Sequence, residues 1–176
     1  MSISKSQFKS IALGGDGDVS AKMRQAGREI SRDNGEAMFV TLWAGVLDAA
    51  TGELAYCSAG HVPPYVVGPS RRVVDRLVEG SGPPLCVLDD FPYEAGSRRL
   101  SRSDTLCLIT DGIIEATSAT GDFYGRERLE VLLLSLPADA EATELGEAIR
   151  RDVARFTAGG EPADDIAILA IRRNGG

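Results

Sequence analysis

An α+β layered domain is the fold this sequence predicts, on three observations. Two apolar runs, 38–47 and 53–59, are joined by the short Gly-containing turn Ala50-Thr51-Gly52, the pattern of an antiparallel hairpin. The run Thr105-Leu106-Cys107-Leu108-Ile109 carries no charge, as a strand covered on both faces should. Helical periodicity is confined to the beginning and end of the chain and does not alternate with the strands, which separates α+β from alternating α/β architectures.

The elements follow in order. Ile3, Phe8 and Ile11 among polar neighbours predict a short amphipathic helix over 3–12, followed by the loop Leu13–Asp18. Val19 to Ile30 predicts a second helix, stopped by Asp33-Asn34-Gly35. After the hairpin, Gly60-His61-Val62-Pro63-Pro64 breaks the chain and Tyr65-Val66-Val67 resumes as a strand. Residues 68–100 mix Gly and Pro with short apolar pieces (72–77 and 84–88) and read as short strands and loops. The core strand 104–110 comes next. Helices are expected over 125–136 and 140–156, with Leu129, Val131, Leu132, Leu145, Ile149 and Val153 buried. Ile166 to Ile171 is the closing strand, and Arg172-Arg173-Asn174-Gly175-Gly176 reads as a tail.

Bulk properties narrow the function classes. A chain of 176 residues is most simply one domain, able to bury roughly 70% of its unfolded surface. The net charge of -7 argues against a nucleic-acid footprint, which would show a basic patch. No apolar stretch approaches a membrane span, and Met1-Ser2-Ile3-Ser4-Lys5 is not followed by an apolar signal region, so a cytoplasmic protein is expected. Cys57, Cys86 and Cys107 are widely spaced, and the burial of Cys57 and Cys107 in apolar runs predicts free thiols. His61 is the one histidine, which excludes a zinc site built on several His and leaves only that residue for Ser-His or Cys-His catalysis.

Two carboxylate motifs carry the chemistry. Thr110-Asp111-Gly112 closes the core strand, and Ala163-Asp164-Asp165 opens the last one. Strand ends are rigid points from which side chains can converge on a ligand, and an Asp there can hold a hard cation through oxygen. Gly112 would serve the turn that aims Asp111. The same residues also punctuate strands as ordinary turn formers. Glu115, four positions after Asp111, reads either as a solvated acid or as a partner of the metal ligands. Asp16-Gly17-Asp18 opens like an EF-hand loop but lacks the Gly and the bidentate Glu that such a loop needs, so it reads as a loop and helix cap. There is no P-loop and no G-x-S-x-G elbow.

Further signatures run through the chain: Met38-Phe39-Val40-Thr41, Gly45-Val46-Leu47-Asp48, Thr51-Gly52-Glu53-Leu54, and Ala59-Gly60-His61-Val62-Pro63-Pro64. After them come Thr110-Asp111-Gly112-Ile113-Ile114-Glu115-Ala116, Phe123-Tyr124-Gly125 with Arg128-Leu129, and Asp164-Asp165-Ile166. In that order the chain resembles the bacterial metal-dependent serine/threonine protein phosphatases of the stage II sporulation protein E type, within the type 2C (PPM) superfamily. Ala167 stands where the family usually has Thr, and Ser103 where it has Gly. The larger departure is at the start: the family's opening Gly-Asp-aromatic-x-Asp and Asp-Val-x-Gly-x-Gly motifs, which supply the other metal-binding carboxylates, are not found. The resemblance therefore implies an N-terminally truncated domain, with residues 1–176 as its C-terminal portion.

The resemblance implies a β-sandwich core flanked by helices. It implies two Mg²⁺ or Mn²⁺ ions in the complete domain, bridged by a water that attacks a phosphoserine or phosphothreonine in line. It assigns Asp111 and Asp164 as the metal-binding and catalytic residues present here. Adjacent carboxylates on a strand point to opposite faces, so only one of Asp164 and Asp165 can face the ions, and Asp165 is the substitute. The implied substrate is a phosphorylated regulatory protein, such as an anti-sigma-factor antagonist, with a sensor or receiver domain preceding Met1. The chain alone is then expected to bind metal poorly and to be weak or inert. The rival expectation is an inactive phosphatase-like module that acts by binding partners or by homodimerising through unpaired sheet edges. A hydrolase built on His61 is a third, weaker reading.

Overall fold

The computed structural model describes residues 18–32, 38–69, 74–158 and 165–174. In chain order its elements are α1 (Val19–Arg32), β1 (Leu42–Leu47), β2 (Glu53–Ala59), β3 (Tyr65–Val67), β4 (Val74–Arg76) and β5 (Ser81–Gly82). They continue as β6 (Gly96–Arg99), β7 (Thr105–Ile109), α2 (Asp111–Ile114), α3 (Arg126–Ser135), α4 (Ala142–Phe156) and β8 (Ile168–Arg172). The fold is α+β with two sheets, as the sequence predicts. The expected helix over 3–12, most of the loop after it and the stop Asp33-Asn34-Gly35 lie outside the described residues. The chain separates into two compact units, Met1–His61 with Val78–Arg99, and Val62–Leu77 with Leu100–Gly176.

In the first unit Asp18 caps α1: its Oδ1 accepts the Ser20 and Ala21 N–H groups at 2.9 and 3.1 Å. The Ser20 hydroxyl, donating to the same oxygen, and these N–H groups hold the Asp18 carboxyl below its ordinary pKa. Val19, Met23 and Ala26 form the buried stripe of α1 and share a core with Cys57, Ala59, Leu85 and Tyr93. β1 and β2 make the expected antiparallel hairpin, with Leu42 opposite Ala59 and Leu47 opposite Leu54. Asp48 Oδ1 ties its turn by accepting the N–H groups of Ala50 and Thr51 at 2.8 and 3.0 Å. The first strand begins later than its apolar run: Met38 and Phe39 are exposed, and Val40 makes only a single bridge to Leu85. The other edge of β2 pairs with β5 in parallel and with β6 antiparallel. β6 needs Gly96, because a Cβ there would lie 2.7 Å from the Tyr56 ring.

The second unit holds a four-stranded antiparallel sheet in the order β4-β3-β7-β8. β7 is therefore interior, and four of its five residues are buried. One face of this sheet packs on α3 and α4 through Tyr65, Val67, Cys107, Ile109, Leu129, Leu133, Leu145, Ile149 and Val153. α4 starts with a reciprocal capping box between Glu141 and Glu144. Three expectations need correction. Val131 is 66% exposed, and Leu133, one turn after Leu129, takes the inward place. β8 begins at Ile168, two residues later than its apolar run. The supposed tail is paired: Arg172 ends β8, and Arg173 exchanges backbone hydrogen bonds with Asp104 and Ser103 at 2.9 and 2.7 Å. Cys57 and Cys107 are buried and not joined in a disulfide, as expected.

Candidate functional site

The interior position of β7 fixes the point at which Asp111 leaves the sheet. Its register with β8 ends at Ile109 opposite Ile168 and is extended one step by Thr110. The Thr110 N–H donates to the Ala167 carbonyl at 3.1 Å. Its hydroxyl accepts the Ala167 N–H at 2.9 Å and donates to the Asp165 carbonyl at 2.9 Å. Thr110 is also the N-cap residue of α2, a position where a Thr hydroxyl ordinarily caps the helix. Here it makes no such cap, because it is engaged with the segment leading into β8.

Asp111 is the first residue of α2 and is exposed. Its Oδ1 accepts the Gly112 N–H at 3.1 Å, and its carbonyl accepts the Glu115 N–H at 2.9 Å. Gly112 does not make the tight turn expected of it; it is buried within α2, so the short helix itself carries Asp111 away from β7. Glu115 is an exposed acid at the end of that helix. Asp165 is exposed and tethered through its carbonyl to Thr110, whereas Asp164 lies outside the described residues. His61 belongs to the first unit and Asp111 to the second; the His61 carbonyl accepts the Ser58 hydroxyl at 3.4 Å.

The donor chemistry of Asp111 suits a hard divalent cation, since a carboxylate with one oxygen hydrogen-bonded keeps acceptor capacity for an ion. Among the described residues, no group of three or more His, Cys, Asp or Glu is placed to hold a metal. The described residues therefore do not by themselves complete a ligand set around Asp111.

Behind the site stands a cluster that the sequence did not reveal. The Tyr124 hydroxyl donates to Asp152 Oδ2 at 2.7 Å, and Arg128 donates to both Asp152 oxygens at 3.0 and 3.3 Å. The Arg128 guanidinium also lies over the rings of Tyr124 and Phe156, 5.2 and 4.8 Å from their centroids. Burial and the neighbouring Asp152 push the Tyr124 phenol well above its ordinary pKa, and the Arg128 hydrogen bonds hold Asp152 below its own. Through Tyr124 and Gly125, whose N–H groups donate to Ala116 and Ile114 at 2.8 and 3.0 Å, this cluster joins α3 and α4 to the residues that follow Asp111. Its members lie on separate elements, and no local spacing in the sequence links Arg128 to Asp152.

Comparison with known proteins places the chain. A family model described as stage II sporulation protein E (SpoIIE) matches residues 1–174. The chain is 33% identical over 147 residues to Protein IcfG of Synechocystis sp., covering 82% of this chain and 22% of that protein. It is 25% identical over 111 residues to phosphoserine phosphatase RsbU of Bacillus subtilis, covering 63% of this chain and 32% of that protein. It thus spans about a fifth to a third of these relatives. Among solved structures, the SiaA-PP2C domain of Pseudomonas aeruginosa superposes with a TM-score of 0.75 at 23% identity, over 93% of this chain and 64% of that one. The Mn-presoaked phosphatase domain of SpoIIE from Bacillus subtilis gives a TM-score of 0.67 at 18% identity, over 100% of this chain and 75% of that one. At these identities the two superpositions establish the shared fold.

Proposed function

Because the chain belongs to the stage II sporulation protein E family, we propose that it serves the metal-dependent hydrolysis of phosphoserine or phosphothreonine on a regulatory protein. One observation supports this most: the double hydrogen bond of the Thr110 hydroxyl, which brings the segment bearing the second carboxylate motif to the strand end that presents Asp111. In this reading Asp111 and Asp164 hold Mg²⁺ or Mn²⁺ together with further carboxylates outside the described residues. Divalent ions supply, when bound, neutralisation of charge on the phosphoryl oxygens. The chain's own task is positional. β7 is held on both edges, Thr110 locks its end, and the Tyr124–Asp152–Arg128 cluster steadies the chain after α2.

The test is Mn²⁺-dependent release of phosphate from a phosphoserine-bearing regulatory protein, compared between a complete domain containing this chain and its Asp111→Asn variant. Metal-dependent turnover that the substitution abolishes supports the reading. A second reading, a module that binds partners without turnover, is favoured by the lack of a three-ligand group among the described residues. Folded protein with no turnover and no change on Asp111→Asn would select it.

A further inference from the structure

Phe123 is 68% exposed, yet the backbone that presents it is tightly bound. The loop before it closes on itself: Ser118 N–H donates to Asp122 O at 2.9 Å, and Gly121 N–H to Ser118 O at 3.0 Å. The Thr120 hydroxyl donates to Asp122 Oδ2 at 2.7 Å, and Asp122 N–H donates to Ser118 Oγ at 3.1 Å. Phe123 pairs across the loop with Thr117. On its other side Tyr124 is buried and anchored to Asp152, and Gly125 turns into α3 at φ 77°, in the left-handed region that favours glycine. A large ring left in water contributes little to folding. An exposed ring on a fixed backbone suits an interface anchor, because little backbone entropy is lost when a partner covers it.

Beside the ring opens a cavity of about 360 Å³ lined by Ile114, Glu115, Phe123, Gly125, Arg126 and Glu127. Ile114 and Glu115 continue the chain directly from Asp111 through α2, so this cavity adjoins the proposed phosphate site. Its lining carries two carboxylates against one guanidinium, a balance that suits a basic side chain.

We propose that this cavity docks the polypeptide segment flanking the phosphorylated residue, with one apolar side chain seated against Phe123 and Ile114 and a Lys or Arg directed to Glu115 and Glu127. The identity of the occupant rests on the phosphatase reading; the anchor itself does not. Decapeptides with a central phosphoserine, a flanking Lys, and Leu or Ala at each remaining position in turn provide the probe, read by fluorescence anisotropy in Mn²⁺ buffer. Binding is measured without turnover, so the result does not depend on a complete metal site. At the preferred position Leu should bind about tenfold more tightly than Ala, a difference of about 1.4 kcal/mol. Phe123→Ala should erase that preference and Phe123→Leu should keep part of it, while circular dichroism stays unchanged. A Leu preference that survives Phe123→Ala, or no preference in the natural chain, overturns the docking site. In the complete domain, binding that needs Phe123 but ignores both the phosphate and Asp111→Asn supports the anchor and removes the phosphatase reading.

Discussion

The Thr110 hydroxyl and the backbone of Asp165 are joined across 55 residues of sequence by a 2.9 Å hydrogen bond. The same oxygen takes the Ala167 N–H at 2.9 Å, so a single side-chain atom sets the spacing between the residue before Asp111 and the residue after Asp164. The two carboxylate motifs are thereby brought to one end of the sheet by a contact that neither motif supplies alone.

Thr110→Val keeps the shape of the side chain and removes this oxygen. The Ala167 N–H and Asp165 carbonyl lose their partner, and stability should fall by about 1–3 kcal/mol, the net worth of two ordinary hydrogen bonds. Amide exchange at Ala167 should accelerate ahead of global unfolding, with a loss of Mn²⁺ affinity. Unchanged exchange would mean that β8 is held at this end by other contacts.

In the complete domain, Asp111→Asn and Asp164→Asn should each abolish Mn²⁺-dependent dephosphorylation without unfolding the protein. Asp111 is exposed, so its neutralisation disturbs no core. Near-normal activity in either variant would remove that residue from the site.

Leu106→Ala should destabilise the protein by about 2–5 kcal/mol, since Leu106 is 2% exposed on an interior strand. Chemical denaturation gives the value. A loss below about 0.5 kcal/mol, the range of surface substitutions, would contradict its burial.

Asp152 provides a pH test. Hydrogen bonds from Arg128 lower its pKa in the folded state, so the folded protein binds this proton less readily than the unfolded chain does. Its contribution is therefore fully present above the unfolded carboxylate value of about 3.9, and is lost as pH falls through the lower folded value. Thermal melts between about pH 2 and pH 6 should show an acid-side loss of Tm that is shallower in Asp152→Asn. Parallel curves for the two proteins would show that the Arg128 pair contributes nothing to stability.

Cys86 sits at φ 69°, where a side chain is strained and glycine is not. Cys86→Gly should raise stability by up to about 1 kcal/mol, despite losing the 3.3 Å contact in which the Ser31 hydroxyl meets its sulfur. A drop in Tm would show that the thiol's packing outweighs the backbone strain.

Much of the fold was legible because its strongest elements write their burial into the sequence. The hairpin of β1 and β2, the uncharged β7 and the stripes of α1 and α4 all follow directly from apolar spacing. β6 did not, because Gly-Ser-Arg-Arg pairs through its backbone and buries only Gly96, leaving no apolar pattern to read. Val131 and Leu133 were exchanged because α3 is apolar almost all round after Arg128, so periodicity could not choose its face. The position of Asp111 just beyond the end of β7 was legible. The tether at Thr110 was not, because its partners lie 55 and 57 residues away in sequence. Gly112 misled for a local reason: Asp-Gly signals a tight turn, and here it begins a helix.

The distance in sequence between Thr110 and its partners has a kinetic consequence. The loop closed by the Ala167 contact spans 57 residues and contains α2, α3 and α4. Loops of that length close late and slowly compared with the helices inside them, because their entropy is lost before distant pairings can offset it. During refolding, the helices α3 and α4 can form while Asp111 still faces solvent beside an unpaired β7. Asp165 reaches Thr110 only when β8 zips onto the sheet, so in the proposed reading metal binding would report a late step of assembly and not the first.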